Sequence, residues 1–193
     1  METLINLLYS PLTMINKESF ANIRKELENS DDQREITIQL SRDIIKESKV
    51  IIYSIQRGDK PSLDNIKKQI SKLERNSNTG IENTAVQEYV EAVAFYDYIF
   101  HKKLSTKKEM GVDSESYLLG LCDLTGELVR KAVKSAIEKD YKTVLEITKF
   151  VEDLYGEFLQ FNLRNGELRK KSDSIKWNLQ KLESLSLEVS KRS

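Results

Sequence analysis

Apolar residues recur at intervals of three and four along most of the chain, the spacing that collects them on one face of an α-helix. The pattern predicts helices over about 17–57, 63–74, 81–104, 114–139, 140–163 and 167–189. The first of these is one long helix or two nearly continuous ones. No strand pattern interrupts them. We therefore predict an all-α protein, with a short extension over residues 1–15 and one helical domain over residues 16–193.

Composition supports this fold class and narrows the functions. The chain is 39% hydrophobic and 32% charged, with only seven glycines and two prolines, which favours helices. Its 31 basic and 31 acidic side chains cancel, so any attraction to nucleic acid must come from local patches. Cys122 is the single cysteine, and no signal peptide or membrane-spanning stretch is evident, so we expect a reducing, cytoplasmic location.

Two carboxylates lie in the otherwise largely apolar helix over residues 117–131. Asp123 and Glu127 share a narrow stripe with Gly120, Arg130 and Lys134. A carboxylate against an apolar surround needs a cation, a hydrogen-bond donor or a metal ion to remain charged. The stripe therefore marks a candidate site.

A second acidic pair lies on the helix over residues 81–104. Glu88 and Glu91 are three residues apart and share one face. If the two helices oppose these faces, four carboxylates converge, and such a group favours Mg²⁺ or Mn²⁺. A metal ion held this way can activate water for phosphodiester hydrolysis. Gly120 would leave room for water or substrate beside the ion.

The simpler alternative is that all four acids are ordinary surface charges. Glu127 can pair with Arg130 or Lys131, and Glu88 and Glu91 can face solvent. Spacing alone favours this alternative, because charged helix faces are usually solvated. His101 is the only histidine, which excludes sites built from several histidines, and we interpret it as a helix-end residue.

Clusters of basic residues provide candidate contacts for single-stranded nucleic acid. Three sets are present: residues 101–108, Arg130 with Lys131 and Lys134, and residues 169–171. Each set alone is more often a solvated helix end, whereas several sets near aromatic residues could bind single strands by charge and stacking. Cys122 is expected in the core, and Trp177 in the core or at an interface.

Three segments resemble the translin and translin-associated factor X family, particularly its factor X branch. They are LSRDIIKESKVIIYSIQR at 40–57, QEYVEAVAFYDYI at 87–99 and YLLGLCDLTGELVR at 117–130. The tail at 158–183 is similar to that of translin itself. The resemblance implies a translin-like bundle of about seven helices, hollow octamers, and in factor X a metal-dependent endoribonuclease acting on single-stranded RNA.

The resemblance also assigns the acids a role. By motif match, the catalytic acids of factor X fall on Glu88, Glu91, Asp123 and Glu127, with Mg²⁺ or Mn²⁺ as cofactor. We expect Arg130, Lys131 and Lys134 to contact RNA. The connector at 105–113 is shorter than in larger factor X proteins and the tail is more translin-like, so we expect a homo-oligomer, with assembly with a translin-like partner left open.

Two rival functions remain open on the sequence. A non-catalytic, oligomeric protein that binds single-stranded RNA or DNA would keep the acids for structural reasons and would bind without cleaving. An all-α nucleotide pyrophosphohydrolase also gathers acids around Mg²⁺. Its second acidic pair is spaced by three residues, whereas Asp123 and Glu127 are spaced by four.

Overall fold

The protein was analysed as a computed structural model that describes residues 15–74 and 79–191. Within these ranges the secondary structure is seven helices and no strands, which confirms the all-α prediction. The helices are α1 (Lys17–Arg57), α2 (Asp64–Ile70), α3 (Ile81–His101), α4 (Lys107–Met110), α5 (Ser114–Ile137), α6 (Tyr141–Phe158) and α7 (Glu167–Ser190). No helix in the described ranges is long and apolar enough to cross a membrane.

The chain divides into two units. The first, Met1–Ile36, is described from residue 15 onward and contains the first part of α1, whose side chains are exposed, including Phe20, Ile23 and Leu27. Of the predicted extension over residues 1–15, all but Ile15 lies outside the described residues. The second unit, Thr37–Ser193, contains the core and every residue of the candidate site. A single domain starting at residue 16 stays a prediction.

The core of the second unit forms around α3 and α5. Helix α5 packs against α3, α6 and α7, and α2 contacts α3. Helix α3 is buried on most sides, as expected from its run of apolar residues. The largest fully buried side chains come from six helices: Ile44 and Ile55 of α1, Ile66 of α2, Phe95 of α3, Leu124 and Leu128 of α5, Ile147 of α6, and Ile175 and Leu182 of α7.

Gly120 sets the closest approach between α3 and α5. A Cβ atom added there would lie 2.6 Å from the Val90 Cβ atom and 2.8 Å from the Gln87 carbonyl oxygen. The expectation that Gly120 leaves room for water or substrate is therefore wrong, because atoms of α3 fill the space beside it. This close contact lets the α5 acids and the α3 acids occupy neighbouring positions.

Local chemistry explains where the helices begin and end. Asp113 and Asp140 cap α5 and α6 by accepting hydrogen bonds from the Ser116 and Thr143 amides, at 2.8 and 3.1 Å. Helix α4 was not predicted. It spans only four residues and is fixed by a capping box in which Thr106 and Glu109 bond each other's amides.

Helix α2 ends at Ile70, earlier than predicted, since the residues after it form a turn. Helix α3 ends at His101, three residues before the predicted end. The next residue, Lys102, adopts a left-handed conformation with φ of 52°, which stops the helix. His101 is thus the helix-end residue expected from the sequence, and its ring lies 3.1 Å from the Asp97 carboxylate.

Candidate active site

Three of the four predicted acids line one pocket. Glu88 and Glu91 of α3 and Glu127 of α5 border a cavity of about 360 Å³. Its remaining walls come from Lys49, Ile52 and Tyr53 of α1 and from Arg130 of α5. We call this cavity the acid pocket. The two acidic faces predicted from spacing therefore meet at a shared opening, with α1 closing one side.

Glu91 is the acid most affected by its neighbours. Burial raises its pKa from 4.5 to about 8, and the negative charges of Asp123, Glu88 and Glu127 add to the increase. Lys171 acts in the opposite direction. Within the described residues Glu91 has no ion pair or hydrogen bond to its carboxylate. The fourth acid, Asp123, thus belongs to the same electrostatic group although it does not line the acid pocket.

The other three acids each have a nitrogen partner. Glu88 Oε1 lies 3.3 Å from Lys49 Nζ, in a pair whose lysine is 64% exposed. Glu127 Oε2 accepts a 2.9 Å hydrogen bond from Gln56 Nε2 and lies 3.6 Å from an Arg130 nitrogen. The simpler alternative from the sequence, in which Glu127 pairs with an arginine on its own helix, is therefore partly correct.

Asp123 has the shortest ionic contact of the group. Lys171 Nζ, near the start of α7, donates to Asp123 Oδ2 at 2.6 Å and to Gln87 Oε1 at 3.3 Å. Both charged side chains are about two-thirds buried, with 31% and 33% of their surfaces exposed. This contact ties α7 to the acids of α3 and α5 at the point where those two helices pack.

The predicted RNA-binding residues occupy different environments. Arg130 is exposed and lines the acid pocket. Lys134 donates to the Gln56 carbonyl oxygen at 2.8 Å, so it also serves the structure. Lys131 is half-buried on the same helix. Contact of these three residues with RNA stays a prediction.

The donor chemistry suits a hard divalent cation, whereas the present arrangement does not yet form a metal site. Four carboxylates lie near one another, and the buried Gln56 Oε1 has no hydrogen-bond partner among the described residues. However, within residues 15–74 and 79–191 no three acidic, histidine or cysteine side chains are grouped to hold one ion. The residues therefore fit Mg²⁺ or Mn²⁺ in kind, whereas in this arrangement Glu88, Asp123 and Glu127 contact nitrogen atoms.

Comparison with known proteins identifies the family. A family model described as the Translin family matches residues 32–193. This chain belongs to the Translin family. An uncharacterized protein of Methanocaldococcus jannaschii is 32% identical over 167 residues, covering 80% of this chain and 75% of that protein. Mouse Translin-associated protein X is 28% identical over 217 residues, covering 86% of this chain and 75% of its own length.

Solved structures agree with the Translin family assignment. The apo-NeC3PO crystal structure superposes with a TM-score of 0.80 at 30% identity, covering 88% of this chain and 96% of that chain. A structure titled as an AfC3PO–duplex RNA complex superposes with a TM-score of 0.75 at 23% identity, covering 89% and 96%, and shows the fold alone. The translin-like bundle of about seven helices is thus confirmed.

Sequence reasoning missed two residues of the site in this Translin family member. Gln56 is buried and donates to both the Glu127 carbonyl and the Glu127 carboxylate, each at 2.9 Å. Lys171 was considered only as part of the basic set at 169–171. Both lie far along the chain from the acids they contact, and no local spacing connects them.

The other single residues considered from the sequence have clear positions. Cys122 is buried in the core, as expected, and burial raises the pKa of its thiol to about 12. A thiol in this state is a poor nucleophile. Trp177 is 61% exposed, so it is not a core residue, and its suitability for an interface stays a prediction.

Proposed function

We propose that this protein is a Mg²⁺- or Mn²⁺-dependent endoribonuclease that cleaves single-stranded RNA within an oligomeric translin-like assembly. The observation that carries the proposal is the position of Glu91. It lines the acid pocket without a partner among the described residues, and burial, together with three further carboxylates, raises its pKa to about 8. A carboxylate without a partner, buried beside three further acids, is more typical of a functional site than of a residue placed for stability.

The acids supply the chemistry in this proposal. Glu88, Glu91, Asp123 and Glu127 would hold the divalent cation, which supplies activation of water and neutralisation of phosphate charge. Arg130, exposed at the edge of the acid pocket, would orient a backbone phosphate, and Lys131 and Lys134 would extend the contact along α5. Tyr53, at the same edge, is exposed with the Arg57 guanidinium 5.9 Å from its ring centre, and would stack with a base.

The comparisons support the substrate class and the assembly. The proteins to which this chain is similar include Translin-associated protein X, and one structural neighbour is named as a complex with duplex RNA. We propose an RNA substrate and a homo-oligomer, with the octamer as the expected state and assembly with a translin-like partner as the alternative. Native mass spectrometry of the purified chain measures the subunit number directly. A cytoplasmic location is part of the proposal.

The deciding experiment incubates the purified chain with labelled single-stranded and duplex RNA in Mg²⁺, Mn²⁺ or EDTA. Cleavage of the single strand that requires the metal ion supports the proposal, and cleavage that persists in EDTA contradicts the metal-dependent mechanism. Asp123→Asn and Glu91→Gln should each reduce cleavage by about 100-fold or more while RNA binding is retained. Glu183→Gln, an exposed acid of α7, is the matched control.

One observation favours the non-catalytic alternative. Glu88, Asp123 and Glu127 are each held by a nitrogen partner, as structural acids would be. In that case the chain binds RNA without cutting it, and Asp123→Asn changes stability alone. Absence of cleavage under all metal conditions, together with measurable RNA binding, would select this alternative over the endoribonuclease.

A further inference from the structure

Lys171 is held beside the acid group by the packing of its helix. Its helix α7 packs on α5 through the buried side chains of Ile175 and Leu179. One turn beyond Ile175, Asn178 Nδ2 donates to Thr125 Oγ1 of α5 at 2.8 Å. The backbone that carries Lys171 is thus fixed against the helix that carries Asp123.

The contact made by Lys171 differs from the other pairs of the acid group. Its nitrogen lies 2.6 Å from Asp123 Oδ2, compared with 3.3 Å for Lys49 and Glu88 and 3.6 Å for Arg130 and Glu127. The lysine of the Glu88 pair and the arginine of the Glu127 pair are both more than half exposed. Side chains in exposed ion pairs readily separate and contact solvent instead. The Lys171 ammonium is held more firmly, because its pair with Asp123 is largely buried and Gln87 is a second acceptor.

The contact with Lys171 sets Asp123 apart from the other three acids. The Lys171 ammonium engages the Asp123 carboxylate from α7, whereas Glu88, Glu91 and Glu127 face the acid pocket. An ammonium ion and a divalent cation on one carboxylate repel each other, and the Lys171 ammonium already contacts Asp123 Oδ2. Lys171 therefore already provides the positive charge that a metal ion would bring to Asp123.

We propose that Lys171 is a built-in competitor of the divalent cation, so that metal binding at the acid group requires the Lys171 ammonium to leave Asp123. The inference rests on the proposed function, since the ion concerned is the one on which cleavage would depend. The long, flexible lysine side chain allows this exchange without movement of α7. Lys171 then lowers the affinity of the acid group for the metal ion.

The test measures Mn²⁺ binding to the full, RNA-free chain by electron paramagnetic resonance of free Mn²⁺. Lys171→Met keeps the length and apolar stem of the side chain and removes its charge. It should tighten Mn²⁺ binding by roughly tenfold or more, since the acid group loses its internal cation. Lys171→Arg keeps the charge and should bind Mn²⁺ as weakly as the wild type.

Lys170→Met is the matched control, because it removes the same charge from the neighbouring, exposed residue of α7. It should leave Mn²⁺ affinity nearly unchanged. Circular dichroism melting establishes that each variant is folded. If Lys171→Met binds Mn²⁺ equally to the wild type or more weakly, or if neither protein binds it, the proposal is overturned. A weaker affinity would show that Lys171 positions Asp123 for the ion.

Failure of this inference and failure of the proposed function give different results. If Lys171→Met tightens Mn²⁺ binding and no variant cleaves RNA, Lys171 competes with the ion and the endoribonuclease proposal fails. If the wild type cleaves RNA with added metal and Lys171→Met shows no gain in Mn²⁺ affinity, the competition is refuted and the proposed function stands.

Discussion

Replacing Glu91 by glutamine should remove a pH-dependent destabilisation of the metal-free protein. The pKa of Glu91 is raised from 4.5 to about 8 by burial and by three neighbouring carboxylates. Between these two values the folded protein keeps a proton on Glu91 that the unfolded chain has released. The folded state therefore loses stability as the pH rises through this window, and the stability is fully present only at lower pH.

The expected size follows from the two pKa values. From about pH 6 to about pH 8, the linkage relation gives a loss of at most about 2 kcal/mol in the free energy of unfolding from this one group. Because Glu91 is partly exposed in the acid pocket, solvent screening reduces this to about 1–2 kcal/mol. Glutamine has nearly the same shape and does not titrate, so Glu91→Gln should lack this contribution.

Urea denaturation at several pH values, in EDTA to exclude adventitious metal, measures the effect. The difference in unfolding free energy between Glu91→Gln and the wild type should grow in favour of the variant as the pH rises. Glu183→Gln removes an exposed carboxylate and should follow the wild-type pH dependence. Parallel curves for Glu91→Gln and the wild type would refute the reasoning, because they would mean that Glu91 ionises normally in the folded protein.

Three further predictions concern packing and reactivity. Gly120→Ala should destabilise the fold by about 1–3 kcal/mol in urea, since its Cβ would lie 2.6 Å from an α3 side chain. Gly156→Ala, with open space around its Cβ, should instead stabilise α6 by about 0.5–1 kcal/mol, and equal effects would contradict the packing argument. The Cys122 thiol, with its pKa raised to about 12, should have a thiolate fraction roughly 1,000-fold lower than an ordinary thiol at neutral pH and should react with maleimide only on unfolding. Fast labelling of the native protein would contradict its burial. Gln56→Leu should cost about 1–3 kcal/mol of unfolding free energy, because the Glu127 carbonyl and carboxylate lose a buried donor; a neutral effect would mean that water replaces the amide.

Helices with a sustained apolar period could be predicted from the sequence, and their ends less well. The period of α3, α5, α6, α7 and the later part of α1 is strong because each buries a long face, whereas the apolar residues at the start of α1 are exposed. Helix α4 has no such face, and a capping box alone forms it. The early end of α3 depends on the left-handed backbone of Lys102, a conformation for which a lysine gives no sequence signal.

The acids could be predicted as pairs because spacing fixes which side chains share a helix face. Spacing does not fix which residues of other helices will meet that face. Gln56 is 71 positions from Glu127 and Lys171 is 48 positions from Asp123, so both contacts arise only from tertiary packing. Spacing was also misleading for Gly120, since an absent side chain in a helix can serve either an open cavity or a close helix contact.

The contact between Gln56 and α5 has a consequence for motion. The Gln56 side-chain amide donates to Glu127, and the Gln56 backbone carbonyl accepts from Lys134. Helix α5 is therefore hydrogen-bonded to both the side chain and the backbone of the last turn of α1. The α1 residues Tyr53 and Lys49, which border the acid pocket, lie about one and two turns earlier. We expect amide hydrogen exchange in this part of α1 to proceed at the rate of α5 opening, so that the wall and the acids open as one cooperative unit.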